Sequence, residues 1–301
     1  MRRACFALAL SLLAAPALAV HWGQAEYAGL LADPELAEVS GLAASQTQPG
    51  RYWSNNDGGN GETLQLIEAD GTRVSGLVVA DVTNTDWEDI ASFRLDGKPY
   101  LLVADTGDNG GLRKTLKLHV IEEPAKVRDG DRVPVAWTIE FAWPDGARDC
   151  EAVAVDAARG EVLLVSKTRV PPELFRLPLQ PKDAAPQVAE LVGTLSGITQ
   201  PREQELRENP VYGRYRSQVS AADLSPNGRV LAVLNYSRIY FFIRPRGRAW
   251  TQSLLGRAAA LDFPWLPQAE AIAFSLDGST LLIGGEPRPS PLLRFRIRKR
   301  D

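Results

Sequence analysis

The sequence predicts an all-β fold built from many short strands. Short runs of β-branched and aromatic residues recur along the chain, and Gly, Pro, Asn and Asp separate them, which is the pattern of strands joined by tight turns. Helical periodicity is almost absent after residue 20. An internal repeat then indicates how the strands are arranged.

The repeat consists of five segments that begin with a small or acidic residue and continue with small or apolar residues. These predicted first strands are residues 40–43, 88–91, 151–154, 220–223 and 270–273. The predicted second strands are 52–53, 100–104, 162–166, 230–234 and 280–284, and the third are 63–67, 115–121, 173–177, 239–243 and 292–297. Fourth strands are predicted at 73–79, 135–141, 187–195 and 250–255. A repeated four-stranded antiparallel meander of about fifty residues is typical of a propeller blade.

The fifth repeat ends after its third strand. We expect residues 21–31 to supply the missing outer strand, which closes the ring between the two termini and removes exposed sheet edges. The prediction is therefore an all-β β-propeller of five blades. Six blades remain an alternative, because two intervals between first strands are long. The polar stretch 197–218 accounts for the second long interval and is predicted to be an insertion over one face.

The N-terminus has the pattern of an export signal. Arg2 and Arg3 precede an apolar run at 4–14, which is too short to span a bilayer, and Ala17-Leu18-Ala19 has the small-x-small pattern of a cleavage site. No cysteine follows the run at a lipid-attachment position. We therefore expect a signal peptide at 1–19 and one propeller domain at 20–301, periplasmic or secreted, without a membrane span or a lipid anchor.

Composition narrows the possible partners. The 301 residues carry a formal net charge of −3 and no basic runs, which argues against nucleic acid. Cys5 lies in the predicted signal, so Cys150 has no internal disulfide partner and is predicted to be a small buried residue. His21 and His119 lie far from it in sequence, which argues against a catalytic thiol or a charge-relay triad. We expect a monomer.

The repeat also predicts a site. In an antiparallel pair the start of the first strand and the end of the second lie at the same rim of the channel. The residues at these two positions are polar in all five repeats and are separated by 15 to 17 residues. The pairs are Ser40 with Asn56, Glu88 with Asp105, Glu151 with Lys167, Ser220 with Asn235, and Glu270 with Glu286.

Three glutamates, Glu88, Glu151 and Glu270, occupy one repeat position and are predicted to converge near the axis. Carboxylates so placed repel one another unless a proton or a cation neutralises them. Further oxygen donors surround them and no His or thiolate does, which favours Ca²⁺. The predicted metal ligands are Glu88, Glu151, Glu270, Asp105, Asp108 and Asp57. In the alternative interpretation, these carboxylates only accept hydrogen bonds from the backbone.

Basic residues are predicted at the same rim. Lys167, Arg169 and Arg288 suit a phosphate or carboxylate ligand, or else act as counter-ions for the glutamates. The predicted ligand-binding residues are Asn56, Lys167, Asn235, Glu286 and Arg288. Trp53, Trp87, Tyr236 and Trp265 either wall a ligand pocket or belong to the core.

Several motifs resemble a known family. The segments VSGL at 39–42, DWEDIA at 86–91, DTGDN at 105–109, EAVAVD at 151–156 and EAIAF at 270–274 resemble bacterial exported propellers of the SdiA-regulated and esterase-like-activity-of-phytase type. The resemblance covers residues 38–296 and implies calcium near the channel mouth. By analogy with β-propeller phytases, Glu88, Glu151 and Glu270 would be metal ligands and Lys167 a phosphate contact. The chain lacks the fuller set of charged rim residues of those enzymes, and they have six blades.

Two functions follow as hypotheses. The first is an exported calcium-binding module of the cell envelope that holds a small anionic ligand or an envelope component at its rim. The second is a calcium-dependent phosphoesterase acting at the channel mouth, with Glu151 and Lys167 as candidate catalytic residues.

Overall fold

The computed structural model describes residues 22–183, 185–210, 213–254 and 258–298, and its secondary structure is almost entirely strand. The strands are β1 (Glu26–Leu31), β2 (Val39–Ala44), β3 (Arg51–Asn56), β4 (Thr63–Glu68), β5 (Arg73–Ala80), β6 (Trp87–Leu95), β7 (Lys98–Asp105), β8 (Leu116–Glu122), β9 (Asp131–Ala142), β10 (Ala152–Asp156), β11 (Glu161–Val165), β12 (Glu173–Pro178), β13 (Gln187–Val188), β14 (Glu190–Thr194), β15 (Val219–Leu224), β16 (Val230–Asn235), β17 (Arg238–Ile243), β18 (Ala259–Asp262), β19 (Ala269–Phe274), β20 (Thr280–Gly285) and β21 (Ser290–Arg296). The α-helices α1 (Glu203–Glu208) and α2 (Trp250–Ser253) are short. Within the described ranges, neither they nor the 3-10 turns have the length and hydropathy of a membrane-crossing helix.

The described strands form three four-stranded antiparallel sheets and one nine-stranded sheet, in which the parallel pairing of β5 with β9 joins two four-stranded antiparallel meanders. We call each four-stranded meander a unit. The first unit is β2 to β5 and the second is β6 to β9. The third contains β10, β11, β12 and β14, and the fourth is β15 to β18. In the fifth, β19, β20 and β21 are followed across the sheet by β1.

The first strands of the units close a ring. Strand β2 contacts β6, β6 contacts β10, β10 contacts β15, β15 contacts β19, and β19 contacts β2 again. Five buried apolar clusters lie between the units, one at each interface between neighbours. Burial of both sheet faces in this way is the main source of stability in such a ring. The predicted all-β propeller fold is confirmed.

The N-terminal segment closes the ring as predicted. Strand β1 pairs antiparallel with β21, with Glu26 opposite Arg294 and Leu31 opposite Ser290. A bridge between Trp22 and Ile297 extends the pairing toward the terminus. The predicted strand began at His21, which lies outside the described residues, as does the predicted signal peptide at 1–19.

One strand prediction is wrong. Residues 250–253, predicted as the outer strand of the fourth unit, form helix α2, and β18 is the outer strand instead. The reason is the packing of Trp250 and Leu254, which lie one helical turn apart and are both buried in the cluster between the third and fourth units. The indole of Trp250 also packs 4.9 Å from the guanidinium of Arg244.

The two long intervals have different structural causes. The first is accounted for by β9, which is 12 residues long and pairs in parallel with β5 of the first unit as well as with β8. The second contains the predicted insertion, which carries α1 and a 3-10 helix at Gly213–Ser217. In it the Thr199 N–H donates to the Tyr240 hydroxyl, and the Arg216 carbonyl accepts from the Ser237 hydroxyl. The insertion therefore lies over the end of the fourth unit where Asn235 is found.

Two buried carboxylates connect the first strands. Asp89 accepts N–H groups from Ile90 at 2.8 Å, from Val153 at 2.9 Å and from Ala222 at 3.3 Å, which belong to three different units. Asp223 accepts from Leu224 in its own unit and from Phe274 in the next, both at 2.7 Å. These aspartates have the structural role that was the alternative interpretation of the rim carboxylates.

We predict that Asp223 makes the protein less stable as pH rises. Burial raises the pKa of Asp223 to about 7, against the partial opposition of its two backbone hydrogen bonds. Between pH 4 and 7 the folded state therefore holds a proton that the unfolded state releases, so the free energy of unfolding falls by up to about 1.4 kcal/mol per pH unit. In urea titrations at pH 5 to 8 with a chelator present, Asp223→Asn should have a smaller slope than the wild type. Asp262→Asn, at an exposed position on β18, should keep the wild-type slope, and an unchanged slope in Asp223→Asn would contradict the assignment.

Candidate metal centre at the rim

The strand register brings the repeat positions to one rim. Trp87 lies opposite Asp105, Val219 lies opposite Asn235, and Ala152 lies opposite Val165. In each of these three units the start of the first strand therefore lies at the same rim as the end of the second strand. This is the arrangement that the constant separation of 15 to 17 residues predicts.

The repeat position itself is a β-bulge in four of the five first strands. The pairing skips one residue at Ser40, Glu88, Ser220 and Glu270. A bulge bends the strand and changes the direction of the side chain it carries. The two serines use this direction to bridge units: the Ser40 hydroxyl donates to the Glu88 carbonyl at 2.5 Å, and the Ser220 hydroxyl donates to the Ala269 carbonyl at 2.6 Å.

Five carboxylates gather beside the bulge of Glu88, and we call them the acidic rim cluster. They form two groups that share Glu88, and within each group one carboxylate oxygen of every residue lies within 4.8 Å of the others. The first, second and third units all contribute. The members are Asp57, Asp86 and Glu88 in one group and Glu88, Asp149 and Glu151 in the other.

Several oxygens of this cluster lack a hydrogen-bond donor. Asp149 and Glu151 are only 5% and 4% exposed, yet the Oδ2 atom of Asp149 and the Oε2 atom of Glu151 accept no hydrogen bond. The other oxygen of Asp149 accepts the Asp108 N–H at 2.9 Å. Leaving a buried charged acceptor without a hydrogen-bond donor is costly. The only described ion-pair contact of these two atoms is that of the Lys167 ammonium with Oδ2 of Asp149, at 3.7 Å.

Two glycines make room for the carboxylates. A Cβ atom at Gly107 would overlap the carboxylates of Glu88 and Asp86, and one at Gly58 would overlap that of Asp86. Only glycine permits so close an approach of backbone to side chain. The loops after β3 and β7 therefore form a cradle around the first group.

Electrostatics in the cluster oppose ionisation in the absence of a cation. Burial raises the pKa of Glu88 well above its ordinary value, and the charges of Asp57, Asp86 and Asp149 raise it further. Burial and then Asp57 raise the pKa of Asp86 to about 6. Burial also raises the pKa of Asp57. A divalent cation would supply the positive charge that this arrangement lacks.

The three predicted basic residues of the rim differ in their ion pairs. The ammonium of Lys167 forms an ion pair with Glu151 and lies 3.7 Å from the Oδ2 atom of Asp149. Arg169 lies 3.9 Å from Glu173 and is half exposed. Arg288 is exposed and forms no ion pair with any described residue. Lys167 therefore acts as a counter-ion of the cluster in this structure.

Glu270 lies outside both groups. The Tyr236 hydroxyl donates to its Oε1 atom at 2.6 Å, and the side chain of Glu286 is its neighbour. Burial, followed by the charge of Glu286, raises the pKa of Glu270 to about 8. Glu286 in turn accepts a hydrogen bond from the Gln268 amide. The fifth unit thus presents its own carboxyl pair at the rim.

Other predicted ligands form hydrogen bonds and an ion pair that stabilise the rim loops. Asp105 forms an ion pair of 2.7 Å with Arg113, and Asp108 accepts the N–H groups of Leu112 and Arg113. Asn56 donates to the Glu35 carbonyl. These contacts hold the rim loops in place beside the acidic rim cluster.

The remaining predicted rim residues are a turn residue and aromatics. Asn235 accepts the N–H groups of Ser237 and Arg238 in the turn after β16. Among the aromatics, Trp53 and Trp87 are fully buried in the core, whereas Trp265 is 85% exposed. Tyr236 alone among the four aromatics contacts a rim carboxylate.

The sequence reasoning missed Asp86 and Asp149. Each stands two residues before a rim glutamate, in the segments Asp86-Trp87-Glu88 and Asp149-Cys150-Glu151. This repeated Asp-x-Glu spacing was the signal that could have identified them. In the fifth repeat the corresponding residue is Gln268, which cannot supply a carboxylate.

Comparisons with known proteins give structural likeness without a family. No family model and no curated protein matches the chain. It is similar to the RRP9 WD40 repeats, at 14% identity and a TM-score of 0.41 over 86% of this chain and 67% of that one. It is also similar to a chain of a nidogen/laminin complex, at 12% identity and a TM-score of 0.44, over 83% of this chain and 73% of that one. A third similar structure is the Neurospora crassa Pan2 WD40 domain, at 8% identity and a TM-score of 0.38, over 89% of this chain and 66% of that one. At these TM-scores we draw no conclusion from them, and the fold assignment rests on the strand order and the closed ring.

We predict that Gly107→Ala disturbs the cluster. The added methyl group would overlap Glu88 and Asp86 and force both carboxylates to move, at a cost of about 1–3 kcal/mol in the free energy of unfolding. Gly61→Ala is the matched control. Gly61 lies in the neighbouring rim loop after β3, and the atom nearest to its new Cβ, in the side chain of Thr63, would be 3.8 Å away. Urea unfolding at pH 7.5 measures both. Equal stability of the two variants would show that Gly107 does not form a cradle.

Proposed function

We propose that this protein is an exported binding module that holds Ca²⁺ in the acidic rim cluster. The observation that supports this most directly is the pair of buried oxygens without hydrogen-bond donors, on Asp149 and Glu151, two residues whose carboxylates form one close group with that of Glu88. Acidic clusters are common on protein surfaces. Buried, unpartnered carboxylate oxygens are rare, because each carries an uncompensated desolvation cost.

The donor set favours calcium over softer metals. The acidic rim cluster offers carboxylate oxygens only, and Cys150, the one thiol near it, points into the core, where burial raises its pKa to about 12. Ca²⁺ accepts six to eight oxygen ligands in flexible geometry, whereas zinc and copper prefer nitrogen and sulfur. When bound, the ion would offset part of the negative charge of the cluster and leave coordination positions for an oxygen of a ligand.

Binding is favoured over catalysis by the arrangement of the basic residues. A phosphoesterase needs cations that are free to meet the phosphoryl group. Lys167 is instead paired with Glu151, and Arg169 lies beside Glu173, so of the three predicted basic residues only Arg288 has no ion pair with a described residue. We therefore propose that the rim holds a small anionic ligand or an acidic envelope component through the bound ion. The insertion at 197–218, which lies over the same end of the ring, would contribute to that surface.

We predict that calcium stabilises the protein through Glu88. A ligand that binds only the folded state raises the melting temperature, and excess Ca²⁺ over a chelator should do so here. Glu88→Gln removes the carboxylate that both groups share, so it should weaken Ca²⁺ affinity by at least about tenfold. Calorimetric titration and metal analysis of the purified protein measure this.

Glu122→Gln is the matched control for that experiment. Glu122 is an exposed carboxylate whose partner is Lys98, in a pair of 3.1 Å on the outer part of the second unit. It should bind Ca²⁺ as the wild type does. If Glu88→Gln binds as well as this control, or if no protein binds the ion, the proposed centre is wrong.

We predict no calcium-dependent phosphoesterase activity. With p-nitrophenyl phosphate as the probe, at neutral pH and saturating Ca²⁺, the wild type should release no more product than Glu151→Gln. Turnover that requires calcium and is lost in Glu151→Gln would instead support the phosphoesterase hypothesis and overturn the binding module.

A further inference from the structure

Lys167 occupies an unusual position in the rim. At or just after the end of the second strand, four of the five repeats carry a residue without positive charge, namely Asn56, Asp105, Asn235 and Glu286. The third repeat has Lys167 at this position, and its side chain is only 13% exposed. Its backbone N–H donates to the Asp149 carbonyl at 3.0 Å, which fixes the base of the side chain beside the acidic rim cluster.

The ammonium of this lysine lies among carboxylates from several units. It pairs with Glu151 and lies 3.7 Å from Asp149. Its charge also lowers the pKa values of Asp57, Glu88 and Glu270, in opposition to the burial that raises them. One ammonium thus acts on the first, second, third and fifth units at once, from a position close to the mouth of the channel.

This single ammonium does not balance the cluster. Five carboxylates belong to the acidic rim cluster, and the nearby guanidinium of Arg113 is already paired with Asp105. Lys167 contacts Oε1 of Glu151, whereas Oε2 of the same residue accepts no hydrogen bond. The ammonium therefore occupies Oε1 of Glu151, so a metal ion that bound this residue through both oxygens would compete with it.

We infer that Lys167 is a tethered competitor that restricts the rim to divalent cations. This inference rests on the proposed metal centre. A metal ion that uses both oxygens of Glu151 must displace the ammonium. Replacing one single positive charge by another, as Na⁺ would, gains no attraction to the carboxylates and loses the hydration of the incoming ion. A divalent ion adds one net positive charge to the cluster, so the exchange is favourable only for it.

The test compares Ca²⁺ binding in two salts of equal ionic strength. Calorimetric titrations are run in sodium chloride and in choline chloride, whose cation is too large to enter the cluster. The wild type should bind Ca²⁺ with the same affinity in both. Lys167→Met should bind about tenfold more tightly in choline chloride, because its carboxylates have lost their internal cation, and should lose at least half of that gain in sodium chloride, where Na⁺ now competes.

Two further variants control for charge and folding. Lys98→Met removes an exposed lysine paired with Glu122 and should behave as the wild type in both salts. Lys167→Gln should reproduce the effect of Lys167→Met while keeping a polar side chain, and circular dichroism in calcium and in chelator reports whether each variant is folded.

The outcomes separate the two proposals. If the wild type binds Ca²⁺ and both Lys167 variants bind it equally or more weakly, or show no dependence on sodium, the competitor role is overturned while the metal centre stands. If neither the wild type nor any folded variant binds Ca²⁺, the metal centre itself is overturned and this inference with it.

Discussion

Repulsion between carboxylates at the channel mouth is the constraint to which the rest of the rim is fitted. Ring closure brings the starts of the first strands together, and it places carboxylates of neighbouring units in two groups that share Glu88, with oxygens within 4.8 Å of one another inside each group. Such an arrangement is unfavourable unless protons or cations accompany it. The bulge at Glu88, the glycine cradle at Gly107 and the ammonium of Lys167 each act on this one problem: they aim, accommodate and partly neutralise the same charges.

Depth in the channel separates the structural carboxylates from the candidate metal ligands. Asp89 and Asp223 lie where first strands run side by side, so backbone N–H groups of neighbouring units surround them and satisfy their oxygens. Glu151 and Asp149 lie where the strands begin, and there the backbone offers few donors. The same residue type therefore stabilises the ring at one level and leaves unsatisfied charge at the next.

Much of this could be predicted from the sequence, because strand repeats and their spacing are local signals. The first strands, the ring closure by β1 and the common rim position of Glu88 and Glu151 follow from periodicity alone. The helix at Trp250 could not, since its conformation depends on burial between two units. The contacts of Asp105 and Glu270 could not be predicted either. Asp105 pairs with Arg113, which has no counterpart in the other repeats, and Glu270 contacts Tyr236 instead of the cluster. Repetition predicts where a side chain lies, but its partner depends on residues that differ between repeats.

The asymmetry of the rim follows from the same principle. The five repeat positions would be equivalent in a perfect repeat, yet the hydroxyls of Ser40 and Ser220 donate to a backbone carbonyl of the next unit. An ionised glutamate cannot do this, because a carboxylate has no proton to donate. The five-carboxylate cluster forms where two consecutive units both carry Asp-x-Glu, at Asp86-Trp87-Glu88 and Asp149-Cys150-Glu151, whereas the fifth unit presents only the pair of Glu270 and Glu286. A cation bound there would lie among carboxylates of the first, second and third units and away from Ser220 of the fourth, whose hydroxyl is already satisfied by the next unit.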